Sequence, residues 1–468
     1  MTTRAIWDHV GGLSGYLEPM YFEDTDLAFK VREAGFRTYF VPSSVVYHFE
    51  GVTSGTDTAS GFKRYQEVNR PKFKRRWARD YAIFGKEGQA PDLEKDRGIV
   101  GRVLFIDYTT PRDDRDAGSY AARREIELVQ SLGYKVTFLP QNLAHFGSYT
   151  EGMERNGIEM VHAPFYLSVN EFLEHRAAEF DAIYITRYSV AQETIHRVRE
   201  INPTARIILN NADLHFLREL RAALNEGDPN RIAAMRSVRE QELEMMRKAD
   251  VVLSYNEVEH SVITSHTEGE ARVMTCPWVV HIPDKVPSLR RRKGLSFLGS
   301  FGHPPNAEGL KWFCSEVMPR LDGSKTHLTI YGSGMGPDIE ALASDRIHPV
   351  GYVEEIADAY DRHRIFVAPL LSGAGIKGKV VSAIAHGIPT VLTPVAAEGI
   401  GLRSGHDCLI VEDAQGWADA IAALSQDDKM WTAMSKAARD YAAQRFSFEA
   451  GREKMKAAFE AVDLFGAV

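Results

Sequence analysis

Hydrophobic residues along this chain fall into short β-branched runs that alternate with amphipathic stretches. Over about residues 99–285 the runs that predict buried strands are RVLFID, KVTFLP, AIYITR, RIILN and VVLSYN. The alternation returns over about residues 294–440 with LSFLGS, HLTIYGS, IFVAPL, PTVLTP and CLIVED, and helical patterns such as SYAARREIELVQSLG separate the runs. Strands alternating with helices predict an α/β protein with two doubly wound parallel sheets.

Changes in composition divide the chain into four parts. Residues 1–95 are rich in aromatic and turn residues and end in the basic run KFKRRW, before the polar linker GKEGQAPDLEKDRG. The two α/β domains are predicted at 99–285 and 290–445. The last stretch, 446–468, has the amphipathic pattern of a helix that packs back across the domains. The boundary run RRRK at 290–293 is expected to be an exposed linker.

Composition narrows the class of protein. The 468 residues include 56 Lys and Arg against 64 Asp and Glu, and this net charge of −8 argues against a general nucleic-acid binder. A content of 44% apolar and 26% charged residues is typical of a soluble globular protein. The three cysteines suit neither a disulfide framework nor a C-x-x-C zinc site, which favours a reducing cytoplasm. Neither a signal-peptide core nor a stretch of about 20 apolar residues is present.

Two basic runs, residues 72–76 and 290–293, bear on the location of the protein. Each is either a solvated face or a contact with anionic lipid. The expected location is therefore the cytoplasm, with peripheral contact at the inner face of the cytoplasmic membrane as the open alternative.

Glycine-rich turns follow three strands of the second predicted sheet. IFVAPL runs into Gly373-Ala374-Gly375, after which Lys377 precedes a helix, and the other turns are Gly299-Ser300 and Gly332-Ser333-Gly334. Glycines allow close backbone approach, and a helix N-terminus beside a lysine favours phosphate. Each turn alone is equally compatible with an ordinary βα loop. Together at one sheet edge they favour a phosphate-binding site.

These motifs carry a resemblance to a known family. GSFGHPPNAEGLKWF, then YGSG, then GAGIKGKVVSAIAHGIPTVLTPVAAEGI resemble the donor-binding half of GT-B glycosyltransferases of family four, the group 1 transferases. The resemblance extends over about residues 100–462. It implies two Rossmann-like domains with a nucleotide diphosphate sugar in the cleft between them and no cofactor at that site. The donor-binding residues that it implies are Gly299, Ser300, Gly332, Gly375 and Lys377, with the base near Tyr352-Val353.

Ser382 departs from the family pattern. Many members carry at this position a glutamate that holds the nucleotide ribose, and another glutamate eight residues earlier, where this chain has Ala374. Loss of the ribose carboxylate is expected to weaken the donor site or change its preference, which leaves a degenerate transferase open. Glu398 in AAEGI is a candidate for a nearby carboxylate, so Ser382 and Glu398 complete the predicted donor set.

The first α/β domain carries the predicted acceptor side. After RVLFID, Gly118 is followed by Ser119 as the expected N-cap of a helix that opens toward the cleft. The preceding loop, DDRD at 113–116, is either a contact for acceptor hydroxyls or an ordinary solvated loop. Glu257, after another strand end, is also expected to face the cleft.

Asp213 and His215 lie in the polar segment NNADLHF, just past the strand RIILN. In the family that the chain resembles, a histidine here contacts the reacting sugar and a hydrogen-bonded carboxylate positions it. The predicted catalytic residues are therefore His215, with Asp213 as its partner, and Lys377, which together with helix dipoles stabilises the leaving diphosphate. A structural histidine at a helix start is the alternative for His215.

The first 95 residues resemble a different family. GGLSGYLEPMYFEDTDLAFKVREAGFRTYFVPSSVVYHFEG is similar to the C-terminal half of a GT-A family two glycosyltransferase. The resemblance implies Asp24, beside Glu23, as a general base and His48 as a metal ligand. Because the nucleotide-binding half does not precede it, we interpret this site as vestigial, with Mg or Mn bound only if that half is completed. Such a half-domain is expected to expose apolar surface. A small independent α/β cap is the alternative.

Three functions are compatible with these patterns. The leading hypothesis is a retaining glycosyltransferase that moves a sugar from a nucleotide diphosphate sugar to a saccharide or lipid-linked acceptor, in bacterial-type surface polysaccharide or lipopolysaccharide synthesis. The second is a non-catalytic nucleotide-sugar-binding or scaffold module, which Ser382 and the truncated first part motivate. The third is a nucleotide-sugar epimerase, a class that can share the GT-B fold. No nucleic-acid partner is expected, and no metal at the GT-B site.

Overall fold

The computed structural model describes residues 2–39, 41, 44–47, 58–86, 88–96, 98–321, 326–373 and 375–465. The chain divides into two compact units, residues 1–97 and 98–468, and each is described by itself. In the described part of the chain, no helix combines the length and the apolar composition needed to cross a membrane.

The first unit has a small aromatic core. Leu17, Phe73 and Trp77 are buried, and Phe22 and Phe29 pack against them. The Phe29 ring lies 5.4 Å from Phe73 and 5.0 Å from Trp77, so the core joins the second helix of the unit to the third. The helices are α1 (Arg4–His9), α2 (Glu23–Glu33), α3 (Tyr65–Arg76), α4 (Ala78–Ala82) and α5 (Pro91–Glu94), with 3₁₀ turns at Gly15–Leu17 and Phe62–Arg64.

Asp26 is the buried carboxylate that links these elements. It accepts hydrogen bonds from Ser14 Oγ (2.6 Å), Tyr16 Oη (2.5 Å) and Trp77 Nε1 (2.8 Å). Burial, together with the hydrogen bond to Asp26, raises the pKa of the Tyr16 hydroxyl. Three donors satisfy this carboxylate inside the unit, which a buried charge requires. Asp26 therefore serves the fold of the first unit.

Apolar side chains are exposed on the first unit. Val45, Val46 and Tyr47 are 69%, 84% and 85% exposed, and Ile83 is 81% exposed. Contiguous exposed apolar residues are uncommon on independent soluble domains. The partial GT-A domain stays a prediction.

The first sheet of the second unit is parallel in all its pairings. Its strand order is β3-β2-β1-β4-β5-β6-β7, which is the doubly wound pattern. The strands are β1 (Arg102–Asp107), β2 (Lys135–Pro140), β3 (Glu159–Met160), β4 (Ala182–Thr186), β5 (Arg206–Asn210), β6 (Val251–Ser254) and β7 (Val273–Thr275).

The second sheet repeats this architecture. Its order is β10-β9-β8-β11-β12-β13, again with parallel pairs, so the predicted α/β class with two doubly wound sheets is confirmed. The strands are β8 (Leu295–Leu298), β9 (Leu328–Tyr331), β10 (Ile347–Gly351), β11 (Ile365–Ala368), β12 (Thr390–Leu392) and β13 (Leu409–Ile410).

Helices connect the strands of both sheets. They are α6 (Ala117–Ser131), α7 (Ser148–Arg155), α8 (Val169–Arg176), α9 (Tyr188–Ile201), α10 (His215–Glu226), α11 (Pro229–Lys248), α12 (Glu257–His266), α13 (Pro304–Trp312), α14 (Pro337–Glu340), α15 (Ala357–Asp361), α16 (Gly378–Ala385), α17 (Pro394–Ala397), α18 (Ala414–Gln426), α19 (Asp428–Phe446) and α20 (Phe448–Glu460). Short 3₁₀ turns lie at Ala177–Glu179, Leu289–Arg291 and Met318–Arg320, and a π-helical turn at Phe313–Val317.

Both faces of the first sheet are covered. Val103 and Phe105 of β1 belong to one apolar cluster, while the alternating residues Leu104 and Ile106 belong to another. A strand that is buried on two faces reads as a continuous hydrophobic run, which explains why RVLFID was recognisable. The strands β3, β7 and β10 were not predicted, because they are two to five residues long and partly exposed at the sheet edges.

The last helix, α20, packs on α6 beside the first sheet. A Cβ built at Gly451 would lie 2.4 Å from Val279 Cγ2 and 3.4 Å from Leu128, so the helix approaches as closely as a glycine permits. The Phe459 ring lies 5.1 Å from that of Tyr134, tilted by 57°. The C-terminal segment that follows the second sheet thus returns to the first.

Arg292 corrects the expectation of an exposed linker at residues 290–293. Its residue is only 3% exposed, and its guanidinium donates to the carbonyls of Tyr360 (2.7 Å), His386 (2.8 Å) and Pro287 (3.1 Å). Burial lowers the pKa of Arg292. The sequence alone does not distinguish Arg292 from the three basic residues beside it, because only tertiary packing selects which of them turns inward.

Glu125 of α6 is a buried carboxyl beneath the first sheet. It accepts from Tyr184 Oη (2.9 Å), from Asn210 Nδ2 (3.0 Å), from Tyr255 Oη and from Cys276 Sγ (3.4 Å). Burial raises its pKa from the ordinary 4.5 to about 7, although these hydrogen bonds oppose the rise. The carboxyl therefore takes up a proton in the folded protein at a pH where the unfolded chain has lost it.

We predict that Glu125→Gln flattens the pH dependence of stability. The folded state binds a proton at Glu125 that the unfolded chain releases above pH 4.5, so the unfolding free energy falls as pH rises from about 4.5 to about 7. The variant should lose roughly 3 kcal/mol of that fall, at 1.36 kcal/mol per pKa unit. Urea unfolding at pH 5, 6, 7 and 8 measures it. Glu127→Gln, a surface ion-pair residue of the same helix, is the control, and an unchanged slope in Glu125→Gln would refute the assignment.

Candidate functional site

The carboxyl ends of the two parallel sheets of the second unit face each other across a cleft. The turn after β11 meets the loop after β5, since a Cβ built at Gly375 would lie 3.8 Å from Asp213 Cβ. The Gly375 amide also donates to Glu259 Oε1 at 3.2 Å, and Glu259 belongs to α12 on the first sheet's side. The cleft therefore brings together Asp213 and Gly375 from the predicted catalytic and donor-binding sets.

Lys377 lies at the donor side of this cleft, directly before α16. Its Nζ donates to the Gly375 carbonyl at 2.6 Å, and the residue is 8% exposed. Burial lowers the pKa of its ammonium, while the carboxylates of Glu398 and Glu259 oppose that effect. The positive φ of Gly375 (69°) suits glycine and turns the chain into the helix. A buried cation at a helix N-terminus is suited to an anionic ligand.

The glycine turns after β8 and β9 touch each other. A Cβ on Gly332 would lie 1.8 Å from the Gly299 carbonyl oxygen, so that position admits only glycine. Phe301 N donates to Ser333 O at 2.9 Å and joins the same two turns. The expectation that these turns line one sheet edge is met by this geometry. Ser300, after Gly299, is exposed at that edge.

Lys379 and Asn306 support the turn after β8, and sequence reasoning missed both. Asn306 Nδ2 donates to the Ser300 carbonyl at 2.7 Å, and Lys379 Nζ donates to Asn306 Oδ1. Burial, and then the charge of Lys377, lowers the pKa of Lys379 from 10.5 to about 7. Lys379 also lies 4.8 Å from the Phe297 ring. The second lysine of the KGK segment thus holds the loop that carries Ser300, and its place two residues after Lys377 was the available signal.

Arg218 joins the two predicted catalytic residues of the acceptor side. Its guanidinium hydrogen-bonds to the Asp213 carboxylate and contacts His215 Nδ1. The expected direct pairing of Asp213 with His215 is therefore corrected, because Arg218, one helical turn past His215, lies between them. Ala212, with φ of 60°, makes the sharp bend before Asp213.

Glu242 caps the helix that presents these residues. Its two carboxylate oxygens accept from the His215 and Phe216 amides at 3.0 Å each, although the side chain comes from α11. Burial raises the pKa of Glu242 to about 7, and the two amide hydrogen bonds oppose that rise. The start of α10 is thus fixed by a residue 27 positions away, which no local capping pattern reveals.

Arg221, two turns into α10, reaches across the cleft. Its guanidinium donates to both oxygens of Glu398, at 3.1 and 3.2 Å, and to the Gly373 carbonyl at 3.3 Å. Glu398, a predicted donor-site carboxylate, is therefore held by the opposite domain. His215, Arg218 and Arg221 recur every three residues and share one face of α10. This three-residue spacing is visible in the sequence and indicates one basic face of a helix.

The N-cap of α6 corrects the assignment of Ser119. Asp116 is the N-cap, and its carboxylate accepts from the Ser119 amide (2.8 Å) and hydroxyl (2.7 Å). The carboxylate reaches the third amide of the helix and so takes the capping role itself. Gly118 lies against this cap and near Arg187, since a Cβ there would be 3.4 Å from Arg187 Nη2. Asp116 is thus engaged in capping, while Asp114 pairs with Arg115 at 3.3 Å.

Arg187 anchors the neighbouring strand end. Its guanidinium pairs with the buried carboxylate of Asp107 at the end of β1. Burial raises the pKa of Asp107 to about 6, and Arg187 opposes that rise. Arg187 has φ of 76°, and its amide donates to Asn210 O at 2.8 Å. This ion pair fixes the end of β1 next to Gly118.

Two other residues differ from their predicted settings. Ser382 lies in α16, where its side chain opposes the rise that burial causes in the pKa of Tyr360, and the Tyr360 hydroxyl itself donates to Lys379 O at 3.0 Å. Glu257 does not face the cleft: its side chain is 84% exposed and pairs with Arg445 at 3.6 Å. Glu259, two residues later in α12, lies at the cleft instead, where it accepts from the Gly375 amide.

The residues predicted as a GT-A site in the first unit are Glu23, Asp24 and His48. Asp24, in the first turn of α2, accepts from the Thr25 amide at 2.7 Å in an exposed setting, and Glu23 begins that helix. His48 lies outside the described residues. In the described ranges, no group of three or more His, Cys, Asp or Glu side chains is placed to hold a metal ion. The GT-A resemblance and its metal stay predictions.

Comparison with known proteins assigns a family to the part of the chain that contains the second sheet. Residues 292–427 match the family described as Glycosyl transferases group 1 and so carry a domain of that type. A stretch of 142 residues is 28% identical to an uncharacterized 44.6 kDa protein in the cps region of Klebsiella pneumoniae. That match covers 28% of this chain and 37% of the relative, so it spans little more than a third of that protein.

Solved structures share the fold of the second unit. Sucrose-phosphate synthase from Thermosynechococcus elongatus superimposes with a TM-score of 0.60 at 15% identity, over 78% of this chain and 99% of that one. Anabaena HepE in complex with UDP and glucose gives 0.59 at 13% identity, over 77% and 100%. WaaG, a glycosyltransferase involved in lipopolysaccharide biosynthesis, gives 0.52 at 14%, over 76% and 99%. The fold is GT-B.

We predict that Glu242→Gln destabilises the second unit. An amide offers one acceptor where two backbone amides need one each, so a buried N–H loses its partner at a cost of about 1–3 kcal/mol. Thermal or urea unfolding measures this loss. Glu240→Gln, on the same helix with a side chain 56% exposed, is the control and should match the wild type. Equal stability of the two variants would contradict the capping role.

Proposed function

We propose that the second unit is a glycosyltransferase of hexosyltransferase type that moves a sugar from a nucleotide diphosphate sugar to a saccharide or lipid-linked acceptor. The observation that carries the proposal is the meeting of two edges: the glycine turns and Lys377 of the family-matched domain face the Asp213–His215 loop of the first sheet. Ligands of doubly wound sheets bind outside the carboxyl ends of the strands. The cleft has that location.

The donor diphosphate binds at the turns of the second sheet. Gly299, Ser300 and Gly332 offer backbone at close range, and Gly375 and Lys377 supply the start of α16 and a cation. A helix N-terminus and a buried lysine stabilise the charge that develops on the departing diphosphate. Lys379, through Asn306, holds the Ser300 loop in place for this contact.

The transferred sugar lies between this edge and α10. His215 contacts the sugar, and Arg218 orients His215 and Asp213 together. The acceptor enters from the Gly118–Ser119 side of the first sheet. The bond from the anomeric carbon to the phosphate oxygen breaks, and its electron pair leaves with the nucleoside diphosphate. The acceptor oxygen bonds to that carbon with overall retention, as the resemblance to family four supports, and its hydroxyl proton passes to the departing phosphate oxygen.

The setting we propose is surface polysaccharide synthesis at the inner face of the cytoplasmic membrane. Support comes from the relative encoded in a cps region and from likeness to WaaG, which acts in lipopolysaccharide biosynthesis. HepE binds UDP and glucose, and this supports a nucleotide sugar as donor. The first unit is proposed as the C-terminal part of a GT-A transferase, on the resemblance of its sequence alone.

A binding or scaffold module is the second candidate function. The observation that favours it is Ser382 in α16, at the position where many members of the family that the chain resembles carry the ribose-binding glutamate. Such a module binds a nucleotide sugar without transferring it. Binding and turnover, measured separately, distinguish the two functions.

We predict that Lys377→Ala abolishes stabilisation by the donor. A ligand at about 100 times its dissociation constant adds about 2.7 kcal/mol to the unfolding free energy. Thermal shift with UDP-glucose, GDP-mannose, ADP-glucose and TDP-glucose should show stabilisation by one base, lost in Lys377→Ala. Lys436→Ala, with a side chain 81% exposed, is the control. No shift with any donor would contradict the donor site, and a shift without turnover on a saccharide panel would favour the binding module.

We predict that Asp24→Asn leaves transfer unchanged. The proposed active site lies in the second unit, and the exposed Asp24 carboxylate accepts from the amide and the hydroxyl of the neighbouring Thr25. The rate of nucleoside diphosphate release with a saccharide acceptor should match the wild type, whereas Asp213→Asn should lower it at least tenfold. A comparable loss in Asp24→Asn would overturn the placement of the active site in the second unit alone.

A further inference from the structure

Arg221 of α10 and Glu398 form an ion pair across the cleft. Two guanidinium nitrogens face the two carboxylate oxygens at 3.1 and 3.2 Å, and Nη1 also donates to the Gly373 carbonyl at 3.3 Å. A carboxylate held in a guanidinium fork occupies the geometry that a phosphate takes on arginine. Arg221 thus presents a phosphate-type site at the glycine turn of the donor domain.

The charge around Glu398 comes from both domains. Among charged groups, the Glu398 carboxylate has the largest influence on Lys377, followed by Glu259 and Arg221. Lys377 belongs to the donor domain, whereas Arg221 belongs to α10 beside the first sheet. Glu398 is therefore an anion set between two cations that arrive from opposite sides of the cleft.

We propose that Arg221 completes the diphosphate site together with Lys377 and that Glu398 is its internal competitor. The carboxylate neutralises the two cations and holds the domains together until a diphosphate takes the Arg221 fork and displaces it. This inference rests on the proposed nucleotide-sugar site and deepens it. In this inference Arg221 is a donor-binding residue supplied by the acceptor domain. Glu398 is then not a donor contact but an anion that the diphosphate displaces.

Arg218 shows why Arg221 has this role and its neighbour does not. Arg218 is engaged by Asp213 and His215 of its own loop, so it orders the acceptor side. Arg221, three residues later on the same helix, extends over the turn that precedes Lys377. A diphosphate bound there bridges the domains, and the leaving group then holds the cleft closed around the sugar.

Titration calorimetry with inorganic pyrophosphate and with UDP, GDP and ADP tests the inference on the full chain. Arg221→Ala should weaken binding about tenfold or more, and Arg221→Lys should recover part of that loss, because it keeps the charge without the fork. Glu398→Gln should tighten binding several-fold, because it removes the competing charge. Arg445→Ala breaks the exposed ion pair with Glu257 outside the cleft and should leave affinity unchanged.

The outcomes separate this inference from the proposed function. If the wild type binds and depends on Lys377, but Arg221→Ala and Glu398→Gln bind like the wild type, the Arg221–Glu398 pair is only structural and the inference is wrong. Weaker binding by Glu398→Gln would likewise overturn the competitor role. If the wild type binds neither pyrophosphate nor any nucleoside diphosphate, the proposed donor site itself fails, and this inference fails with it.

Discussion

The close approach of the Gly375 turn to the loop that ends at Asp213 is the contact on which the cleft depends. These segments end strands of different sheets, and the hydrogen bond from the Gly375 amide to Glu259 sets their separation. With φ of 69°, position 375 has the left-handed backbone conformation that favours glycine, and a Cβ built there would be in ordinary contact with Asp213 Cβ at 3.8 Å. The ion pair between Arg221 and Glu398 crosses the same cleft.

Burial shifts the pKa values of several ionisable groups around the cleft. Lys377 and Lys379 are cations whose pKa values fall on burial, and Glu242 and Glu259 are carboxyls whose pKa values rise. Each is supported by fixed hydrogen bonds, so the charges are oriented before a ligand arrives. A buried cation that is oriented in advance, such as Lys377, stabilises an anion more effectively than solvent does, because it needs no reorganisation.

The first unit uses similar residues for a different end. Asp24 and Asp26 are two positions apart on α2, yet Asp24 is exposed while Asp26 accepts three hydrogen bonds in the interior. The sequence pattern drew attention to Asp24 through a family resemblance. The buried network around Asp26 explains why an acidic residue is needed in that helix even without catalysis.

Local pattern alone determined the strands with continuous hydrophobic runs, the glycine turns and the α/β class, because each depends on residues within a few positions of one another. It also located Lys377, Asp213 and His215 at strand ends. Only the tertiary structure decided that Glu242 caps α10 across 27 residues, that Arg292 turns inward, and that Arg221 meets Glu398 across 177. Those contacts depend on the distance and orientation of two packed sheets, which no short stretch of sequence encodes.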